Sequence, residues 1–166
     1  MRKHAPGNRP ELREPDVPQP ANGPSLLWSD ARLLGFGPMD ATHEEFYRVT
    51  FSLLTCEETG MLLALDAFDA HAREHFEQED SWMRSTNFPP RDCHIEEHAA
   101  VLKSVEQVRE RIMNGQAGLD LVHDLALHLF EWFPGHADYL DSALAAWMTK
   151  DRLGGKPVVL RRSLKR

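Results

Sequence analysis

Histidine and carboxylate residues recur at helical spacing along the middle of this 166-residue sequence. His75 and Glu79 are four residues apart, and so are His94 and His98. Each pair would project from one face of a helix, about one turn apart, which is the spacing that a shared metal ion requires. A single pair of this kind is more often a surface pair than a pair of metal ligands, so the other segments decide the interpretation.

Two further segments supply candidates of the same type. His43 lies in the first predicted helix, and His136 with Asp141 lies in the last. Because metal sites in helix bundles are built from side chains on facing helices, four helices can contribute to one central position. The candidate metal ligands are His43, His75, Glu79, His94, His98, His136 and Asp141.

The number of candidate ligands favours a pair of metal ions. If two carboxylates bridge the ions and one oxygen bridge joins them, five imidazoles give one ion six ligands and the other five. The five-coordinate ion then has an open position for a small ligand. Imidazole with carboxylate suits iron, although ligand type alone leaves zinc, manganese and copper open. A structural zinc site closes at four ligands, which this set exceeds.

The segments that position these residues have a helical pattern from Asp40 to Met148, with breaks where Pro, Gly or Asn cluster. We predict four helices, the first beginning with Asp40 as its N-cap and ending near Thr55. The others run from the residues after Gly60 to those before the Asn87 turn, from about 92 to 113, and from about 119 to 147. Short linkers favour antiparallel neighbours, so the expected fold is an all-α, up-down-up-down four-helix bundle. Residues 28–38 are expected to form an ordered strap that packs an aromatic ring on the bundle.

A distortion is predicted in the last helix. Pro134 and Gly135 directly precede His136, and a proline inside a helix removes one backbone hydrogen bond. His136 and Asp141 are five residues apart, which corresponds to about 140° around an ideal helix. A kink or π-bulge at this place would help both side chains to face the same metal centre.

Composition indicates one folded domain with two tails. Residues 1–24 hold six of the eleven prolines and few large apolar side chains, so we expect them to be disordered. Residues 25–150 are the predicted bundle, and residues 151–166 are a predicted flexible basic tail. The two tails carry net charges of +1 and +5, which leaves −13 on the bundle. Such an acidic body argues against nucleic-acid binding.

Other sequence features indicate where the protein is located and whether it has disulfides. No apolar run reaches the roughly 18 residues of a membrane span, and no apolar signal segment follows the N-terminus. We therefore expect a cytoplasmic protein. We also expect a monomer, with an unidentified protein partner left open. The two cysteines, Cys56 and Cys93, are too few for a disulfide framework.

The sequence resembles the bacterial hemerythrins. The resemblance lies in Met39-Asp40-Ala41-Thr42-His43, in His75-Phe76-Glu77-Gln78-Glu79-Asp80, in His94 with His98, and in Trp132 with His136 and Asp141. It implies two iron ions, Fe2+ or Fe3+, joined by a bridging hydroxide or oxide. It also implies reversible binding of dioxygen for storage, transport or delivery, without catalysis.

The resemblance also implies a role for each candidate ligand. The three histidines His94, His98 and His136 would bind one iron, His43 and His75 would bind the other, and Glu79 and Asp141 would bridge the two. Ala137 stands where the family usually has an isoleucine near the open position. We therefore expect a roomier pocket and a faster loss or autoxidation of bound dioxygen. The aromatic residues Phe46, Phe76, Trp132 and Phe133 are candidates for an apolar shell around the site, or are simply core.

Two other functions stay open at this point. A di-iron oxidase or peroxidase of the ferritin-like kind would use Glu-x-x-His pairs, and no histidine in this chain has Glu three residues before it. A sensor of oxygen, nitric oxide or redox state would act through a protein partner, and fused output domains of such sensors are larger than either tail.

The remaining histidines of the body, His71, His123 and His128, are expected to be packed or solvated, although His71 and His128 are spaced to orient a ligand.

Overall fold

The chain forms an all-α four-helix bundle in the computed structural model, which describes residues 25–159. The helices are α1 Gly37–Thr55, α2 Met61–Ser85, α3 Arg91–Met113, α4 Leu119–His136 and α5 Ser142–Leu153, and a π-helical segment, Ala137–Asp141, joins α4 to α5. The fourth helix of the bundle consists of α4, the π-helical segment and α5. Helix α1 contacts α2 and α4, and α3 also contacts α2 and α4, which closes the bundle.

The predicted breaks between the helices are confirmed. Helix α1 ends at Thr55, before a short 3-10 turn at Glu58–Gly60. Helix α2 ends at Ser85, ahead of Pro89 and Pro90, since proline cannot continue a helix. The predicted distortion of the last helix is confirmed too, because the π-helical segment begins three residues after Pro134.

The prediction that Asp40 is the N-cap of helix one is wrong. Helix α1 begins at Gly37, and Pro38 in its first turn supplies a backbone angle already suited to a helix. The Asp40 carboxylate instead accepts hydrogen bonds from the backbone N–H groups of Leu34, at 2.6 Å, and Gly35, at 3.0 Å. Asp40 therefore fixes the strap that precedes α1.

The predicted strap packs on the bundle through aromatic rings. The Trp28 ring lies edge-on to Tyr47, with 5.8 Å between ring centroids, and Phe36 lies edge-on to Trp82 at 5.2 Å. These contacts cover two parts of a core that all four helices build. In α2, Leu65, Phe68, Phe76 and Met83 are buried in that core, but Leu62 and Leu63 are exposed.

The segment after α5 lies against the strap. Gly35 has a φ of +85°, and a Cβ added to it would come within 3.0 Å of the Pro157 side chain and the Val158 backbone nitrogen. Only glycine fits this close approach and this backbone angle.

Residues 1–24, which were predicted to be disordered, and residues 160–166 of the predicted basic tail lie outside the described residues. Within the described part, no helix is both long enough and apolar enough to cross a membrane.

Candidate metal centre

All seven candidate ligands point into the middle of the bundle. Helix α1 positions His43, α2 positions His75 and Glu79, α3 positions His94 and His98, and the fourth helix positions His136 and Asp141. Each of these residues is at most 3% exposed. The residues that spacing alone selected are therefore brought together.

Three imidazoles form the larger group. The Nε2 atom of His136 lies 3.2 Å from Nε2 of His94 and 3.3 Å from Nε2 of His98. Two carboxylate oxygens join them: Glu79 Oε2 lies 3.3 Å from His98 Nε2, and Asp141 Oδ1 lies 3.0 Å from His94 Nε2. Five side chains thus offer one atom each, all within 4.8 Å of one another.

Two imidazoles form the smaller group, which uses the other oxygens of the same carboxylates. Glu79 Oε1 lies 3.1 Å from His75 Nε2 and 3.8 Å from His43 Nε2. Asp141 Oδ2 lies 3.2 Å from His43 Nε2. Glu79 and Asp141 therefore each direct one oxygen to the larger histidine group and the other oxygen to the smaller group.

Several buried polar atoms at this centre lie close to other polar atoms but form no hydrogen bond of good geometry, namely both ring nitrogens of His43, Glu79 Oε2 and both oxygens of Asp141. A buried polar atom without a partner costs free energy, so such a cluster requires something more than the protein atoms. Two ligand atoms that bind one ion at about 2.1 Å and at right angles lie about 3.0 Å apart. Apart from the 3.8 Å between His43 and Glu79, the separations given above are close to this value. Imidazole with carboxylate also suits a transition metal such as iron.

The carboxylates and imidazoles of the centre shift one another's pKa values. Burial alone would lower the pKa of His43, but its contacts with Asp141 and Glu79 raise it to about 9, and the pKa of His94 rises to about 9 for the same reason. Burial would raise the pKa of Glu79 and of Asp141, but the surrounding imidazoles hold both well below their usual range. Burial lowers the pKa of His75 and outweighs its contact with Glu79. Both carboxylates are therefore anionic at neutral pH.

Two acids outside the seven residues hold two of the three imidazoles of the larger group. His98 Nδ1 donates to Asp80 Oδ1 at 2.9 Å, and His136 Nδ1 donates to Glu97 Oε2 at 2.9 Å. Such contacts fix the ring orientation and leave Nε2 free to bind a metal. The bond to His136 lowers the pKa of Glu97. Sequence reasoning missed both roles, and the position of Asp80 directly after Glu79 was the one signal for its part.

The three other histidines of the body have different partners. His123 Nε2 donates to the Cys56 carbonyl at 3.1 Å, and His128 Nδ1 donates to the carbonyl of Asp124 in its own helix at 2.8 Å. His71 Nδ1 lies 3.6 Å from Glu45 Oε2, and burial lowers the pKa of His71 to about 4. Among the described residues, no hydrogen bond joins these three histidines to the seven candidate ligands.

Aromatic rings enclose the centre. The Phe133 ring lies edge-on to His43 at 5.0 Å and is stacked on Phe46 at 4.0 Å. The Phe76 ring is stacked on His98 at 4.1 Å, and both ring planes are nearly parallel. Because Phe46, Phe76 and Phe133 are also buried core residues, they belong to the core and to the shell of the centre at once.

Comparison with known proteins places this centre in a family. The chain is 36% identical over 127 residues to a bacteriohemerythrin of Ralstonia nicotianae, which covers 76% of this chain and 91% of that protein. No family model matches the chain, and no solved structure matches it. The sequence similarity covers nearly the whole relative, and the buried cluster of histidines and carboxylates fits a hemerythrin-type metal site. The chain therefore belongs to the hemerythrin family.

Proposed function

We propose that this protein binds two iron ions at the seven buried residues and binds dioxygen reversibly. The observation that carries the proposal is the position of the two carboxylates. Glu79 and Asp141 each direct one oxygen to the larger histidine group and the other oxygen to the smaller group. Two carboxylates placed in this way can bridge two ions. The similarity to a bacteriohemerythrin supports the same conclusion.

The donor atoms divide unequally between the ions. The group of His94, His98 and His136 offers three imidazoles and two carboxylate oxygens, whereas His43 and His75 offer two imidazoles and two carboxylate oxygens. A hydroxide or oxide bridge would complete six ligands on the first ion and leave one position open on the second. When bound, the iron pair would supply two electrons and this open position to dioxygen.

The surrounding side chains limit the access of water to the site and orient its imidazoles. Phe133 and Phe46 close the side of His43 with apolar rings, so water has limited access to the smaller histidine group. Asp80 and Glu97 hold His98 and His136 in the tautomer that presents Nε2. The proposed role is storage, transport or delivery of dioxygen by a cytoplasmic monomer, without a catalysed reaction.

A spectroscopic cycle tests the proposal. The purified protein is loaded under anaerobic conditions with two equivalents of ferrous iron, exposed to air, and then deoxygenated again. A visible charge-transfer band that appears with oxygen and disappears on its removal supports reversible binding. Permanent conversion to a ferric spectrum without that band contradicts the proposal and favours an oxidase or a redox sensor. Zinc-loaded protein is the control, because zinc is not redox-active.

A further inference from the structure

His71 lies beside the candidate ligand His75, one turn earlier in α2. The two rings are tilted by 57° to each other, with 5.6 Å between their centroids. Nδ1 of His75 and Nε2 of His71 are both buried, and neither forms a hydrogen bond with a described residue. A buried polar atom without a partner costs free energy, so these two neighbouring nitrogens require a physical reason.

His75 needs a hydrogen-bond acceptor once a metal ion binds it. Its Nε2 atom faces the centre, 3.1 Å from Glu79 Oε1, so a metal ion at Nε2 leaves the ring proton on Nδ1. Imidazoles that bind metals almost always donate this second N–H to a carboxylate, a carbonyl or water. Acidic residues accept it from two imidazoles of the larger group. His75 has no acid in direct contact with Nδ1 among the described residues.

His71 can supply the acceptor. Burial and the nearby charges of His75 and Arg48 lower the pKa of His71 to about 4, so its ring is neutral at pH 7 and one nitrogen has a free lone pair. His71 Nδ1 lies 3.6 Å from Glu45 Oε2, and this negative charge favours the proton on Nδ1. The free lone pair is then on Nε2. The ring of His43 also contacts His75, but its Nδ1 would itself carry a proton when its Nε2 binds metal.

A cavity of about 290 Å³ between α1 and α2 gives the His71 ring room to move. Its wall includes His71, His75, Thr42, Glu45 and Gln78. Two imidazoles joined by a direct N–H···N bond have centroids about 5 Å apart, so a shift of about half an ångström would form the bond. The His71 side chain is only 7% exposed, whereas Gln78 is exposed. His71 is therefore better placed than Gln78 to contact a buried nitrogen.

We propose that His71 is a positioning residue for the smaller histidine group, and that His75 Nδ1 donates a hydrogen bond to His71 Nε2 when a metal ion binds His75 Nε2. Binding of the ion moves the ring proton of His75 from Nε2 to Nδ1, and the bond to His71 fixes it there. His71 thus connects His75 with the carboxylate of Glu45. The inference rests on the proposed function because it requires metal at His75, but it does not depend on dioxygen.

Stepwise binding of ferrous iron under anaerobic conditions, measured by competition with a chelator, tests the effect on affinity. The smaller group offers fewer donor atoms, so it should give the weaker of two binding steps. His71→Leu removes the acceptor and should weaken that step by about tenfold or more, while the stronger step stays unchanged. His71→Gln keeps an acceptor and should restore most of the affinity. Glu45→Gln should weaken the same step by a smaller factor, and it serves as the test if His71→Leu does not fold.

Gln78→Leu and His123→Leu are the matched controls. Gln78 lines the same cavity, and His123 is a half-buried histidine that donates to the Cys56 carbonyl and does not line the cavity. Both variants should keep the two binding steps unchanged. Unchanged affinity in His71→Leu, or equal weakening in either control, would overturn the inference alone. Failure of the unchanged protein to bind two ferrous ions would overturn the proposed function as well.

Nuclear magnetic resonance identifies the bond itself. In zinc-loaded protein with 15N-labelled histidine, a scalar coupling across the hydrogen bond should join Nδ1 of His75 to Nε2 of His71. Zinc is used because it is not redox-active, so the result is independent of dioxygen. The coupling should be absent from His71→Leu and present in His123→Leu. If the unchanged zinc-loaded protein shows no coupling between the two rings, His71 is not the partner of His75 and the inference is wrong.

Discussion

His136 Nε2 lies 3.2 Å from Asp141 Oδ1, although the two residues are five positions apart in one continuous helix. In a regular α-helix this spacing corresponds to about 140° around the axis, so the two side chains would face different directions. The π-helical segment Ala137–Asp141 changes the local winding and brings both to one centre. A π-helical distortion is rare and occurs often at functional sites, which agrees with its position here.

Asp141→Asn should lower the number of iron ions per chain below two. The amide has no negative charge and one oxygen, so it cannot join the larger histidine group to His43 as the carboxylate does. Metal analysis after iron loading and gel filtration measures the effect. Asp138→Asn is the control, because Asp138 is exposed in the same π-helical segment, and it should retain both ions. Two ions in Asp141→Asn would contradict a bridging role.

His98→Ala should weaken or abolish iron loading, whereas His123→Ala should leave it intact. His98 presents Nε2 to the larger group. His123 instead donates to the carbonyl of Cys56, which directly follows α1. Loss of that bond should lower the free energy of unfolding by about 1 kcal/mol. Titration with ferrous iron and denaturant unfolding measure the two effects. Equal iron binding by both variants would refute the assignment of His98.

Asp80→Asn should weaken metal binding by about tenfold or more, because a charged partner of a ligand imidazole raises its basicity. Asp80 also accepts a hydrogen bond from Arg84 at 3.1 Å. Arg84→Ala therefore serves as the control, since it removes that ion pair but leaves the bond between Asp80 and His98 Nδ1. Competition with a chelator gives the affinities. If both variants lose the same affinity, the ion pair and not the contact with His98 is responsible.

The sequence predicted the parts of the fold that depend on pattern within one helix. Breaks at Pro89 and Pro90 and the distortion after Pro134 follow from the missing N–H of proline, which acts locally. The set of candidate ligands could be predicted because residues four positions apart in a helix project from the same face. The bundle then needs only short linkers to bring these faces together.

The contacts that sequence reasoning missed join different elements. Glu97 bonds His136 on another helix, and nothing in the spacing within α3 distinguishes it from the neighbouring Glu96. Asp40 resembled an N-cap because it stands near the start of a helix, but its carboxylate caps the strap instead. The contact of Pro157 with Gly35 joins the two ends of the described chain, and composition gives no sign of it.

Metal uptake should release protons at pH 7. In the metal-free protein the pKa values of His43 and His94 are raised to about 9, so both imidazoles carry a proton at pH 7. A metal ion binds only the deprotonated ring, so binding expels these protons and the apparent affinity rises as the pH increases toward 9. Calorimetry with zinc in two buffers of different ionisation enthalpy counts the protons. A binding enthalpy that is the same in both buffers would contradict the prediction.

Ala137→Ile should slow autoxidation of the oxygenated protein. Ala137 is 9% exposed and belongs to the same buried apolar cluster as Phe46 and Phe133, which close the side of His43. A larger side chain adds apolar volume to that cluster and so reduces access of water to the centre. The added volume should also cost about 1–3 kcal/mol of stability, as overpacking of a core does.

The rate is read from the decay of the oxygen-dependent visible band in air, and the stability from denaturant unfolding. Ala145→Ile is the matched control, because Ala145 is buried in the other apolar cluster, with Trp82 and Met83. It should lose comparable stability without a change in autoxidation. If Ala137→Ile leaves the rate unchanged, or if Ala145→Ile slows it equally, the small side chain at position 137 does not control the pocket.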